Sequence, residues 1–256
     1  MKDRLKKLSP VLANFSSLET RLLECLDFLP YTKENWRVVS PRFAPIILDA
    51  CSLTESVLRH FAGLSDDRAS FKRFAGEVDE HLELDEAISI FLTTGIVFLN
   101  PFASWKTKAP AWWTAYNRLK HDRLNHYAEA TYENTVLALC ALHQVLARDR
   151  DFIPNLVSAG WFNTDDPQFV ELICAQHIEI GVKPIQVMSV ESRLFATPLH
   201  SNFLEFRNGR PCLNDDCHFS PRTAAIISAV DCIEAGEYVE TQTPPAGDVL
   251  KAAPEE

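Results

Sequence analysis

The segment Trp112 to Arg123, WWTAYNRLKHDR, gathers residue types that handle phosphates and protons. Asn117 and His121 are four apart, so on a helix their side chains stand one turn apart on one face. Trp113 and Tyr116 sit a turn earlier, and Lys120 and Arg123 bring positive charge. An imidazole titrates near neutrality, and an amide among cations can hold a phosphate and steady developing negative charge. In this chemistry His121 is the general acid/base, Asn117 orients it or the phosphate, and Lys120 or Arg123 offsets charge. Tyr116, Arg118, Arg123, Trp113 and Glu55 are the candidate substrate-binding residues. Arg118 also forms an i,i+4 pair with Asp122 that can brace the helix. Glu55, in the SLTES stretch upstream, could orient His121 or receive a cation if its helix packs on this one. Each residue has a plainer reading. Aromatics bury large areas and more often anchor cores or interfaces than stack on ligands. Asn117 can bond the backbone, His121 can be a satisfied, partly buried histidine, and Glu55 a solvated helix glutamate.

Three segments carry a family resemblance: ILDACSLTESVLR (Ile47 to Arg59), NPFASW (Asn100 to Trp105) and PAWWTAYNRLKHDR (Pro110 to Arg123). Together they resemble a group of bacterial proteins of the HEPN superfamily with a WW-x2-YN-x2-KH-x-R signature before a long helix. The resemblance covers about Val39 to Leu146 and implies a helical bundle from a defence or stress system. It further implies binding of RNA or a nucleotide through the Asn117/Lys120/His121 face, a homodimer, and metal-independent ribonuclease chemistry without a cofactor. The chain departs from the catalytic pattern at one position. Where the family carries Arg directly before Asn, this sequence has Tyr116, which lacks the fixed donors and permanent charge of a guanidinium. Arg118 and His126 do not restore the spacing. The alternative is a non-enzymatic dimerisation or partner-binding protein in which the aromatic motif is structural.

Other clusters are weaker. Cys212, Cys217, His218 and Cys232 include thiolate and imidazole ligands suited to zinc, but they lack the two close pairs of a zinc ribbon, so no metal is expected. Cys174 with His177 offers only two ligands. Asp165-Asp166 and Asp215-Asp216 read as turn residues, and His200 near Arg193 and Arg207 as a polar cluster. No nucleophile elbow or glycine-rich phosphate loop occurs.

The WWTAYNRLKHDR face needs a framework to hold it, and the sequence predicts one. Val11, Phe15, Leu18, Leu22, Leu26 and Leu29 recur at helical spacing, which predicts a helix stopped by Pro30. A second helix is predicted from an N-cap at Ser40 to Gly63, and a shorter one over Ser70 to Leu82. Ala87 to Phe98 is β-branched and aromatic, predicting extended structure, with a hairpin as one form. The motif helix begins near Ala111. A long helix from about Ala128 to Arg148 carries apolar residues on most faces and is expected at the centre of a bundle. Beyond Arg150, Ile178 to Val190 and Arg193 to Arg207 read as strands, Asn208-Gly209 as a turn and Ala224 to Ala235 as a helix. The expected fold is mainly α: a HEPN-like helical bundle over 1–150, a smaller α+β region over 151–240 and a disordered tail over 241–256.

A net charge of -10, from 35 acidic and 25 basic residues, excludes general coating of nucleic acid. It leaves room for a local basic face. Seven scattered cysteines, without a secretory signal or an apolar stretch of the ~20 residues that span a bilayer, predict a cytoplasmic protein with no membrane partner.

Overall fold

The computed structural model describes residues 2–64, 71–92, 96–161, 187–198, 204–207, 210–213 and 217–218. Six helices appear among them: α1 (Lys2–Leu26), α2 (Phe43–Phe61), α3 (Phe71–Leu82), α4 (Ala111–His121), α5 (Tyr132–Arg148) and α6 (Ile153–Ser158). The strands are β1 (Ser89–Leu92), β2 (Ile96–Leu99), β3 (Val187–Glu191), β4 (Phe195–Pro198), β5 (Leu204–Arg207), β6 (Arg210–Leu213) and β7 (Cys217–His218). The chain is thus helix-rich with a small, mostly antiparallel sheet. The expected helix at Ala224 to Ala235, the Asn208-Gly209 turn, the acidic pairs, Cys174, His177, His200, Cys232 and the 241–256 tail lie outside the described residues.

The element boundaries follow local chemistry. α1 begins well before Val11, because Pro10 removes one backbone bond without ending the helix. α2 starts at Phe43 rather than at Ser40, whose hydroxyl instead accepts the Arg42 amide at 3.2 Å. It ends at Phe61 with Ala62 as its C-cap, so Gly63, expected at the C-cap, falls one residue beyond it, where a φ of +64° suits glycine. There the Gly63 and Leu64 amides reach back to the His60 and Arg59 carbonyls, closing the last turn. α5 starts at Tyr132, later than Ala128, because Thr131 is its N-cap and accepts the Asn134 amide at 3.2 Å.

Helix α5 is the hub, packing against α1, α2, α4 and β4. Phe43 of α2 stacks on Tyr132 with ring centroids 5.1 Å apart, and the Tyr132 hydroxyl donates to the Leu29 carbonyl. β1 and β2 pair antiparallel with Ser89 opposite Leu99, so the extended structure expected within Ala87 to Phe98 is present over Ser89–Leu92 and from Ile96 onward. On its other edge β1 pairs with β4, and Phe91 stacks on Phe195. The five-stranded order is β2-β1-β4-β3-β7, with β5–β6 a separate hairpin. The break in sequence character near Arg150 is therefore crossed by strand pairing, and Val190, Leu194 and Phe195 belong to the same core as the helices. Glu19 of α1 reinforces this crossing. Its buried carboxylate accepts the Leu194 amide and the Arg193 guanidinium.

A fully buried polar chain joins α5 to the sheet. His143 Nδ1 shares a 2.7 Å hydrogen bond with Thr197, which bonds Ser89 at 2.6 Å, and Gln144 donates to Ser89 and to the Ala87 carbonyl. Phe15, Trp161 and Phe195 surround the imidazole, and burial lowers its pKa from 6.5 to about 3. The folded protein holds His143 neutral while the unfolded chain protonates it, so its contribution is complete above pH 6.5 and is lost as pH falls toward 3. Acidification from neutral to pH 5 is expected to remove about 2 kcal/mol of stability through this group. Urea unfolding of the wild type and of His143→Gln at both pH values checks this, because the variant loses most of that dependence.

Candidate functional site

Helix α4 is placed by a loop fixed at two points. Asp79, buried at the end of α3, accepts the Trp105 indole and the Asp85 amide at 2.8 Å each and pairs with Lys106 at 2.5 Å. The Trp112 indole then donates to the Pro101 carbonyl at 2.6 Å. These bonds fix the Asn100 to Pro110 segment against α3 and α4, so the NPFASW stretch serves the placement of α4.

The helix is divided along its length. Trp112, Trp113, Ala115, Tyr116 and Leu119 are buried, and the helix packs against α2 and α5. Trp113 lies 4.6 Å from the Phe71 ring and 5.3 Å from Tyr116. Trp113 and Tyr116, expected as substrate-binding residues, are therefore core residues, and the large apolar area of these rings accounts for it. Asn117 is half-buried and donates back to the Trp113 carbonyl at 3.1 Å, the local backbone bond of its plainer reading.

Tyr116 does more than fill space. Its hydroxyl donates to Glu55 Oε2 at 3.2 Å and accepts from Lys120 Nζ at 3.1 Å. Lys120 Nζ also lies 3.9 Å from Glu55 Oε2 and 5.1 Å from the Tyr116 ring centroid. Arg59 approaches Glu55 Oε1 through Nη2 at 2.7 Å and Nε at 3.2 Å. Burial raises the Tyr116 pKa, and the hydrogen bond to Tyr116 raises that of Lys120, so the phenol stays neutral and the amine charged. Glu55 receives cations, as one reading of it held, and does not orient His121.

The remaining expected residues face outward. Arg118 pairs with Glu129 rather than Asp122, whose carboxylate closes the following turn on Asn125. His121 and Arg123 are exposed, and neither has a hydrogen-bond or ion-pair partner among the described residues. The structure thus brings together Glu55, Tyr116 and Lys120, adds Arg59, and leaves Asn117, His121 and Arg123 outside that cluster. Sequence reasoning misses Arg59 as a site residue, although its i,i+4 spacing from Glu55 is visible there. It also misses Asp79, His143, Gln144 and Arg148 as buried polar anchors. For the last three, polar residues within the otherwise apolar run of α5 are the available signal.

No family model, curated protein or solved structure matches the chain. Among the described residues no helix is long and apolar enough to cross a membrane. Nor do three or more His, Cys, Asp or Glu side chains converge there as metal ligands; of the Cys212, Cys217, His218 and Cys232 set, no side chain is described. Cys25, Cys51 and Cys140 are free, buried thiols.

The division of α4 predicts opposite responses to substitution. Trp112→Ala or Trp113→Ala should lower unfolding free energy by about 3–5 kcal/mol, the range for truncating a buried aromatic. His121→Ala and Arg123→Ala should stay within about 0.5 kcal/mol of wild type. Denaturant titration of the four variants measures both effects.

Proposed function

We propose that the chain is a HEPN-like protein of a bacterial defence or stress system whose exposed α4 end binds the phosphates of RNA or a nucleotide. The observation that carries this reading is the pair His121 and Arg123, exposed beside Lys120 at the end of a helix whose other face is sealed in the core. The exposed imidazole and guanidinium can meet a phosphodiester without disturbing the core. Lys120, half exposed in its cluster with Tyr116 and Glu55, is the neighbouring cation. The helix carbonyl terminus disfavours an anion on the axis, so binding is expected through side chains.

The reading is recognition before cleavage. Tyr116 stands where the resembled family carries Arg, and its hydroxyl is engaged by Glu55 and Lys120. The Asn117 amide is engaged by backbone. The His121 side chain is exposed and has no partner among the described residues. Any ribonuclease activity would therefore rest on His121, with Lys120 and Arg123 offsetting charge.

A second reading, a homodimer or protein partner at this end, is favoured by Leu124, 94% exposed directly after Arg123. Fluorescence anisotropy with a short single-stranded RNA separates the two. Under the RNA reading, His121→Ala/Arg123→Ala weakens binding several-fold and lowers the salt slope by about 0.7 for each phosphate no longer neutralised. Wild-type protein that ignores RNA, with a dimer that Leu124→Glu dissociates, would support the second reading instead.

A further inference from the structure

The bonds around Glu55 have the form of an anion site already occupied. One carboxylate receives two guanidinium nitrogens on Oε1, and on Oε2 a phenol, with an ammonium 3.9 Å away. A two-nitrogen guanidinium grip, a point charge on a flexible stem and a hydroxyl donor are also groups that hold phosphate oxygens. Arg59 and Lys120 thus both bear on the Glu55 carboxylate, from α2 and from α4. The site is partly sheltered: the Glu55 and Arg59 side chains are 18% and 20% exposed, while Lys120 at 50% forms its open side. Tyr116, only 2% exposed, is the rigid floor. Glu55 comes from α2 whereas Tyr116 and Lys120 come from α4, so a change of occupant would alter a link between two helices.

We propose that Arg59, Tyr116 and Lys120 form a seat for a phosphate group, filled in the unliganded protein by the Glu55 carboxylate as an internal competitor. The inference rests on the reading of the α4 end as a phosphate-recognition surface and assigns that surface a regulated inner subsite. An incoming phosphate takes the guanidinium and ammonium donors, and Glu55 turns out to solvent.

Calorimetric titration of inorganic phosphate into wild type, Glu55→Ala, Glu55→Gln and Glu55→Ala/Arg59→Ala/Lys120→Ala tests this without RNA. Glu55→Ala should bind phosphate ~10-fold or more tightly than wild type, since one opposing charge at close range is removed. Glu55→Gln, which keeps the size of the side chain, should fall between them and carries the test if the alanine variant does not fold. The triple variant should show no such gain. Equal affinity in wild type and both single variants, or a gain retained in the triple variant, overturns the proposal. If the gain appears while wild type binds no RNA, the seat stands and the RNA reading falls.

Discussion

Helix α5 is buried on all sides, and that burial sets terms for everything packed around it. Its residues from Thr135 to Arg148 are almost all inaccessible, so each polar side chain must find a partner inside the protein. His143 and Gln144 are met by Thr197, Ser89 and the Ala87 carbonyl. Arg148 is met by the carbonyls of Leu82 and Glu83, and burial lowers its pKa to about 10. The sheet and the end of α3 are thereby held to one helix by bonds that are expensive to break.

The same burial shapes the candidate site. With α5 and α2 covering its aromatic face, α4 must turn its cationic positions outward. Tyr116 lies at the border, its ring inside and its hydroxyl on Glu55 and Lys120. A guanidinium in its place would bring a third cation against one carboxylate at a nearly inaccessible position. Tyr116 thus gives the motif a hydrogen-bonded anchor where a charged group would otherwise stand.

Much of the helical framework was legible because it depends on short-range periodicity. The spacing from Val11 to Leu29, the glycine end of α2 and the apolar faces of α5 all act within a few turns. The β1–β2 hairpin was legible from β-branched residues in a short run. The pairing of Phe91 with Phe195 was not, since a β-strand's residues do not specify a partner so far along the chain. The division of α4 was only half legible: the plainer reading of Trp112, Trp113 and Asn117 agrees with their positions, but periodicity could not show which face met α5. Cation reception is one of the readings the sequence allows for Glu55, and the i,i+4 spacing of Arg59 from it is visible there. What spacing does not show is that α4 brings Tyr116 and Lys120 to the same carboxylate.

On the reading proposed, α4 has an inner structural face and an outer phosphate-binding end. Side-chain imidazole resonances followed by NMR during titration with a short single-stranded RNA probe both at once. Saturable shifts are expected at His121, with buried His143 unmoved. Shifts at His143 without shifts at His121, or none at either under saturating RNA, would contradict the reading.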